Sequence, residues 1–291
     1  MDDFIDNIRF FNYFHLRQTD KYKFMITQAI IPLAGLGTRM LPFTKVIPKE
    51  LLPLGNISIL ERVLIECEEA GIKKIYLIIS KKKDIIKKYF ENNVFLKKKV
   101  FKNKNLLNKL KKLAKFRKKI RFVYQNSPKG LGDAVLTCKN KITSKYFLLF
   151  LPDDIIVNSN CTKELIAVHK KNKSSVIAIK KVLKKNVNRY GIVGFDKKNK
   201  NILHINKLIE KPSINSAPSL HAIIGRYILD KDIFKFMSVS KKGKLGEIQI
   251  TDTLNKMLHK GRVFNGCVFK GEYLDCGTME GYIKSFNRIS N

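Results

Sequence analysis

Tryptophan is absent from this chain, and acidic residues are scarce: 24 Asp and Glu stand against 58 Lys and Arg. No stretch approaches the ~18 uninterrupted apolar residues that a membrane span needs, so no membrane partner is expected. The opening Met1-Asp2-Asp3 is acidic and no apolar run follows it, which argues against a secretory leader. Cysteine is also sparse. Cys67, Cys138, Cys161, Cys267 and Cys276 are odd in number, scattered, and form no Cys-x-x-Cys pair. That excludes a disulfide framework or a cysteine zinc site and favours a reduced, cytoplasmic protein. No internal repeat is present.

The shortage of acid leaves a formal charge of +34. Such a charge suits a polyanion. The lysines, however, are spread along the chain and are not interleaved with aromatics as in an RNA-binding motif. Abundant Lys, Ile, Asn and Phe without Trp is what an A/T-rich coding sequence supplies. No nucleic-acid partner is therefore expected, although a positive field speeds capture of small anions.

With 291 residues and 44% apolar content the chain can bury one large core. Gln28 to Leu33 reads as a buried strand ending in a Gly-rich turn. Ile59, Leu60, Val63, Leu64 and Cys67 give a helical stripe over 58–70, closed by Gly71. Lys74 to Ile79 is a second strand, so the three elements form a βαβ unit and imply a parallel sheet. Residues 82–119 predict two or three amphipathic helices with solvated basic faces. Further strands are expected at 120–124, 146–151 and 175–180. A block of short strands follows over 189–230, then a helix at 246–260, one or two strands at 261–276, and a helix from about Thr278. The fold class is α/β, with a mostly parallel central sheet flanked by helices. Residues 1–24 read as an N-terminal extension and 25–291 as a single domain.

Chemistry concentrates in a few segments. In Leu33-Ala34-Gly35-Leu36-Gly37-Thr38-Arg39-Met40, glycines let the backbone approach a ligand, and successive N–H groups can form an anion nest. Arg39 can grip a phosphate through two parallel bonds. The third glycine of a dinucleotide fingerprint is missing, and no Gly-Lys-Ser/Thr of a Walker loop follows. By itself the loop is equally an ordinary tight turn. In Pro48-Lys49-Glu50-Leu51-Leu52-Pro53-Leu54, ten positions on, two prolines stiffen the backbone that presents Lys49. Phe147 to Leu151 is an apolar strand ending in Pro152-Asp153-Asp154. Carboxylates at the end of a parallel strand lie where such sheets bind ligands, and they suit Mg²⁺. None of the five histidines sits in a motif, and no paired Ser or Cys nucleophile is evident.

Together, the Gly-rich loop, Pro48-Lys49-Glu50 and Leu52-Pro53-Leu54 resemble the opening of the sugar nucleotidyltransferases, and specifically their bacterial UTP–glucose-1-phosphate uridylyltransferase branch. The resemblance spans roughly 27–288 with its motifs in order. It implies a Rossmann-like fold with a small β-rich sugar-binding subregion at 189–230, a helical insertion at 82–119, and a C-terminal helix at 278–291. It implies that Leu33, Ala34, Gly35, Gly37 and Thr38 wrap the triphosphate, which Arg39 and Lys49 neutralise. In Gln125-Asn126-Ser127-Pro128-Lys129-Gly130-Leu131-Gly132-Asp133-Ala134, which resembles the base-recognition segment, Gln125 and Gly130 would meet the uracil. Asp153 and Asp275, the latter in Asp275-Cys276-Gly277, would hold Mg²⁺, with Asp154 less clearly assigned. On the sugar side Gly191 would approach the ring, Glu210 would bond sugar hydroxyls, and Lys211 would hold the sugar phosphate. Relatives carry an Asn where this chain has Leu220, which would alter the polar rim of the pocket. Gly246 to Asp252 also matches and reads as mainly structural.

The activity so implied joins UTP and glucose 1-phosphate to give UDP-glucose and pyrophosphate, in a homo-oligomer, dimer or tetramer. A dTTP-dependent thymidylyltransferase and a non-catalytic nucleotide-sugar sensor are the alternatives. The long insertion favours the uridylyl branch over the thymidylyl relatives.

Overall fold

The computed structural model describes residues 25–126, 130–238 and 249–290. The expected N-terminal extension, Ser127-Pro128-Lys129 and Gly246-Glu247-Ile248 lie outside the described residues.

In chain order the strands are β1 (Gln28–Pro32), β2 (Pro53–Leu54), β3 (Ile57–Ser58), β4 (Lys74–Ile79), β5 (Ile120–Tyr124), β6 (Tyr146–Phe150), β7 (Asp154–Val157), β8 (Ser175–Lys181), β9 (Gly191–Asn199), β10 (Ile202–Glu210), β11 (His221–Asp230), β12 (Phe264–Val268) and β13 (Glu272–Asp275). The helices are α1 (Ile59–Glu69), α2 (Ile85–Tyr89), α3 (Val94–Val100), α4 (Lys104–Lys119), α5 (Leu131–Leu136), α6 (Cys161–Asn172), α7 (Ile233–Ser238), α8 (Ile250–His259) and α9 (Met279–Ser290).

Nine strands form one sheet in the order β5-β4-β1-β6-β11-β8-β12-β10-β9. Side chains alternate across it with the two-residue period of a strand. Ala29, Ile31, Ile75, Leu77 and Ile79 face one core, with Leu60, Val63 and Leu64 of α1, Leu165 of α6 and Phe116 of α4. Ile30, Tyr76 and Ile78 face the other, with Val135 of α5, Phe234 of α7 and Leu254 and Met257 of α8. The sheet is thus buried on both sides, between two helical layers.

Parallel pairing holds along β5-β4-β1-β6 and between β8 and β12. The sheet as a whole is mixed. β11 lies antiparallel between β6 and β8, and β10 is antiparallel to both β12 and β9. "Mostly parallel" therefore describes the first half. Direction was not legible in β11, because a strand buried on both faces reads as one apolar run in either orientation. β9 and β10 extend the sheet's far edge.

Local signals explain the boundaries. α1 begins in a capping box: Ser58 Oγ accepts from the Glu61 N–H, and Glu61 Oε2 accepts from the Ser58 N–H, each at 3.2 Å. The insertion forms three helices, α2 to α4, of which α2 buries Ile86 and α4 buries Phe116. The helix expected at 246–260 is described from Ile250. All five cysteines are free and buried.

Two features turn this scaffold toward a site. The neighbouring strands β1 and β6, and β5 on the far side of β4, end at one edge of the sheet and release the Gly-rich loop, Asp153 and Gln125 there. The two-stranded sheet of β7 and β13 then pairs Asp154 with Asp275, bringing the end of the chain back to the same edge.

Candidate functional site

Two adjoining cavities of 380 and 340 Å³ occupy that edge and share Leu131, Leu151 and Asp153. Ala34, Gly35, Gly37, Thr38, Lys49, Gln125, Gly130 and Asp153 line the first. Arg39, Gly191, Glu210, Lys211, Asp153 and Asp275 line the second. Leu33 lines neither. Its side chain is buried and its carbonyl is engaged elsewhere, so it departs from the expected contact set. Arg39 stands with the second cavity, near Asp275.

The wall of the first cavity depends on backbone that only glycine adopts readily. Gly37 has φ +70° and Gly130 φ +92°. Thr44 Oγ1 donates to the Gly37 carbonyl at 2.8 Å and fixes that turn. On the opposite side Gln125 is buried, and its Nε2 donates to Asp133 Oδ2 at 2.7 Å. Asp133 thereby sets which way the amide points.

Between the cavities, Lys49 Nζ donates to Asp153 Oδ2 at 2.6 Å. Burial opposes the charge of each, but the pairing prevails: the lysine is held above its ordinary pKa and the aspartate below. Asp275 Oδ2 accepts from Arg189 Nη2 at 2.8 Å, and its Oδ1 accepts from the Gly277 N–H at 2.8 Å. A Cβ on Gly277 would stand 3.0 Å from Asp153 Oδ2, 3.1 Å from Asp275 Oδ1 and 3.4 Å from Arg39 Nη2. Two carboxylates and a guanidinium thus converge on a hollow that glycine leaves open.

Asp154 differs from its neighbour. Its Oδ2 accepts from the Gly225 N–H and its Oδ1 from Tyr273 Oη, each at 2.7 Å. Burial first, and the charge of Asp153 second, push its carboxyl up to about 6. Gly225 lies where the pairing of β11 with β8 shifts, and the next residue, Arg226, is fully buried. Arg226 donates to Glu66 at 2.9 and 3.0 Å and to the Leu151 carbonyl at 3.0 Å. The irregularity aims Gly225 at Asp154 and Arg226 at the turn carrying Asp153.

In the second cavity Glu210 Oε2 accepts from Thr251 Oγ1 at 2.7 Å. Lys211 is exposed, with Nζ 3.9 Å from Glu210 Oε1. Its φ of +44° is an unusual conformation for a non-glycine residue, fixed by donation of its N–H to the Tyr190 carbonyl at 3.0 Å. Leu220 is not among the lining residues. It packs against Val187, Ile192 and Ala222, so the departure from an Asn falls on a small apolar cluster.

The motifs pointed to Gln125, Asp153, Asp275 and Glu210 but not to the residues that hold them. Asp133 and Thr251 lie inside matching segments that gave them no role, Arg189 lies in none, and Tyr273 reaches Asp154 only because β7 and β13 pair. Thr251 belongs to the segment read as mainly structural, and its hydroxyl is bonded to a cavity carboxylate.

The site is thus an open basic cleft with carboxylates at its centre, and related proteins share the scaffold that builds it. The nucleotidyl transferase family model matches residues 28–291. A UTP–glucose-1-phosphate uridylyltransferase of Pseudomonas aeruginosa is 35% identical over 268 residues, which cover 90% of this chain and 95% of that one. A UDP-glucose pyrophosphorylase solved in complex with UDP-glucose superposes with a TM-score of 0.82 at 34% identity, covering 91% of this chain and 98% of the other. A UTP-bound enzyme of the same kind from Acinetobacter baumannii gives 0.81 at 30% identity, over 91% and 93%. With fold and sequence in agreement along nearly its whole length, the chain belongs to the nucleotidyl transferase family.

Proposed function

We propose that the protein transfers a uridylyl group from UTP to glucose 1-phosphate, forming UDP-glucose and pyrophosphate. The observation that carries this reading is the pair of adjoining cavities with Asp153 on their common wall. One is glycine-lined and ends at a buried amide. The other is rimmed by a carboxylate and a lysine. Relatives named for this reaction, including structures holding UTP and UDP-glucose, support it.

In this reading the first cavity holds UTP. Gln125, oriented by Asp133, offers its carbonyl to uracil N3–H and its remaining N–H to a ring carbonyl. Gly130 lets the backbone close on the base. N–H groups of residues 34–38 cradle the phosphates. In the second cavity Glu210, steadied by Thr251, accepts from vicinal sugar hydroxyls. Gly191 allows the ring to approach, and Lys211 binds the phosphate of glucose 1-phosphate.

The residues at the centre fit a divalent ion. Two carboxylate oxygens flank the hollow beside Gly277, and no cluster of three or more His, Cys, Asp or Glu ligands occurs among the described residues. Two carboxylates and open positions suit Mg²⁺, which completes its shell with water and substrate phosphates. Asp153 and Asp275 are its proposed ligands. When bound, the ion would neutralise charge on the phosphates and hold them in reacting geometry.

No general base is needed, because the nucleophile is an ionised phosphate oxygen. It attacks the α-phosphorus in line as the bond to pyrophosphate breaks. The chain supplies alignment and charge. Lys49 and Arg39 stabilise the departing pyrophosphate, and Lys211 aims the incoming phosphate. Residues 25–291 act as one catalytic domain, cytoplasmic and oligomeric. The deciding experiment is pyrophosphate release with glucose 1-phosphate and either UTP or dTTP. Preference for UTP supports the reading; equal or greater turnover with dTTP overturns it.

A further inference from the structure

Three lysines follow β4 in a row, and only the last is buried. Lys81 and Lys82 are exposed, whereas Lys83 is 8% exposed. Its ammonium has three N–H groups and three acceptors in reach. Nζ donates to the Leu33 carbonyl at 2.7 Å and to the Glu50 carboxylate at 2.9 and 3.1 Å. Only the charged form can supply all three donors. Glu50 is 1% exposed and lines the first cavity next to Lys49.

Each bond reaches a different part of the site. The Leu33 N–H still belongs to the sheet, donating to the Ile78 carbonyl at 2.7 Å. Its carbonyl goes to Lys83 instead, at the point where the chain leaves β1 for the Gly-rich loop. Glu50 is the nearest carboxylate along the chain to Lys49. Without a partner, a buried Glu50 anion would compete with Asp153 for the Lys49 ammonium.

We propose that Lys83 is a positioning residue for the nucleotide site: it neutralises Glu50, so that Lys49 stays directed at Asp153 and the triphosphate, and it pins the Leu33 carbonyl where the phosphate loop begins. This rests on the reading of the first cavity as the UTP site. It touches neither substrate. A general scaffold role would lower stability and affect both substrates alike, whereas this role falls on the nucleotide and runs through the charge of Glu50.

The test compares wild type, Lys83→Met, Glu50→Gln and the double variant by calorimetric titration with UTP and by steady-state kinetics. Lys83→Met is expected to weaken UTP binding by about ten-fold or more, while KM for glucose 1-phosphate moves by less than about two-fold. Adding Glu50→Gln removes the stranded anion and is expected to restore UTP affinity to within about five-fold of wild type. A folded Lys83→Met protein with native UTP affinity overturns the proposal, as does an equal loss for both substrates. Should Lys83→Met not fold, the double variant decides. Near-native UTP affinity supports the role; an unfolded protein, or binding weaker by about ten-fold or more, overturns it. If wild type binds another nucleoside triphosphate in place of UTP, only the uridylyl reading falls, and the same comparison is made with that nucleotide.

Discussion

The backbone N–H of Cys276 donates to the carbonyl oxygen of Asp153 at 2.8 Å, stitching the turn after β6 to the turn after β13. That bond sets the spacing of the two carboxylates on either side of Gly277. Removing one should therefore disable turnover without dismantling the fold. Asp153→Asn is expected to lower the rate of pyrophosphate release by about 10²–10³-fold, the scale of a lost electrostatic contact in a transition state. Near-normal rates would sink the assignment.

Gly277→Ala probes the same hollow more gently. The new methyl would come within 3.0–3.1 Å of both carboxylates, closer than ordinary carbon–oxygen contact. The variant is expected to fold but to need about ten-fold more Mg²⁺ for half-maximal rate, since the lost space is the proposed position of the metal. An unchanged Mg²⁺ titration would place the ion elsewhere.

Thr251→Val tests the sugar side. It removes the 2.7 Å bond to Glu210 without changing shape much. KM for glucose 1-phosphate should rise by about ten- to 150-fold, with KM for UTP held, because a lost bond to a charged group costs roughly 1.5–3 kcal/mol. Equal effects on both substrates would contradict the division into two cavities.

How much of this was legible beforehand differs by element. The βαβ start, the helical character of the insertion though not its count of three, and the placing of Gln125, Asp153, Asp275 and Glu210 at the cavities were legible, through apolar period or through motif. The supporting residues did not. Lys83 looks like any surface lysine in Lys81-Lys82-Lys83, and burial alone distinguishes it. Arg226 lies in a strand that otherwise reads as apolar, and its partner Glu66 is on a helix far away in sequence. Such pairs are made by tertiary packing, so no local pattern encodes them. The direction of β11 was hidden for a different reason: burial on both faces leaves an apolar run that reads alike in either orientation.

The Arg226–Glu66 pair predicts a stability effect. Arg226 is fully buried, and Glu66 also accepts from Thr162 Oγ1 at 2.6 Å. Arg226→Met should cost about 3–5 kcal/mol, because it strands a buried carboxylate. Arg226→Met with Glu66→Leu should recover much of that loss. Urea unfolding monitored by circular dichroism measures both. A double variant no better than the single would show that the arginine acts through packing alone.

Asp154 predicts a pH effect. Its folded carboxyl titrates at about 6 against an ordinary value of 3.8, so between those values the folded state holds a proton that the unfolded state releases. Stability from this group therefore falls as pH rises through that window, by about 1.4 kcal/mol per pH unit, and is level above it. Asp154→Asn should flatten that part of the metal-free stability profile. A slope identical to wild type between pH 4 and 6 would refute it.

The five buried cysteines give the molecule a built-in clock. A thiol sealed from water reacts with a maleimide only when the protein around it opens, so modification times openings. Cys67 and Cys276 belong to the same core, but Cys67 is on the buried face of α1, whereas Cys276 sits in the turn between Asp275 and Gly277. Their separate modification rates would register whole-chain unfolding and local breathing of the catalytic turn in one experiment. Saturating UTP and Mg²⁺ would slow the second far more than the first.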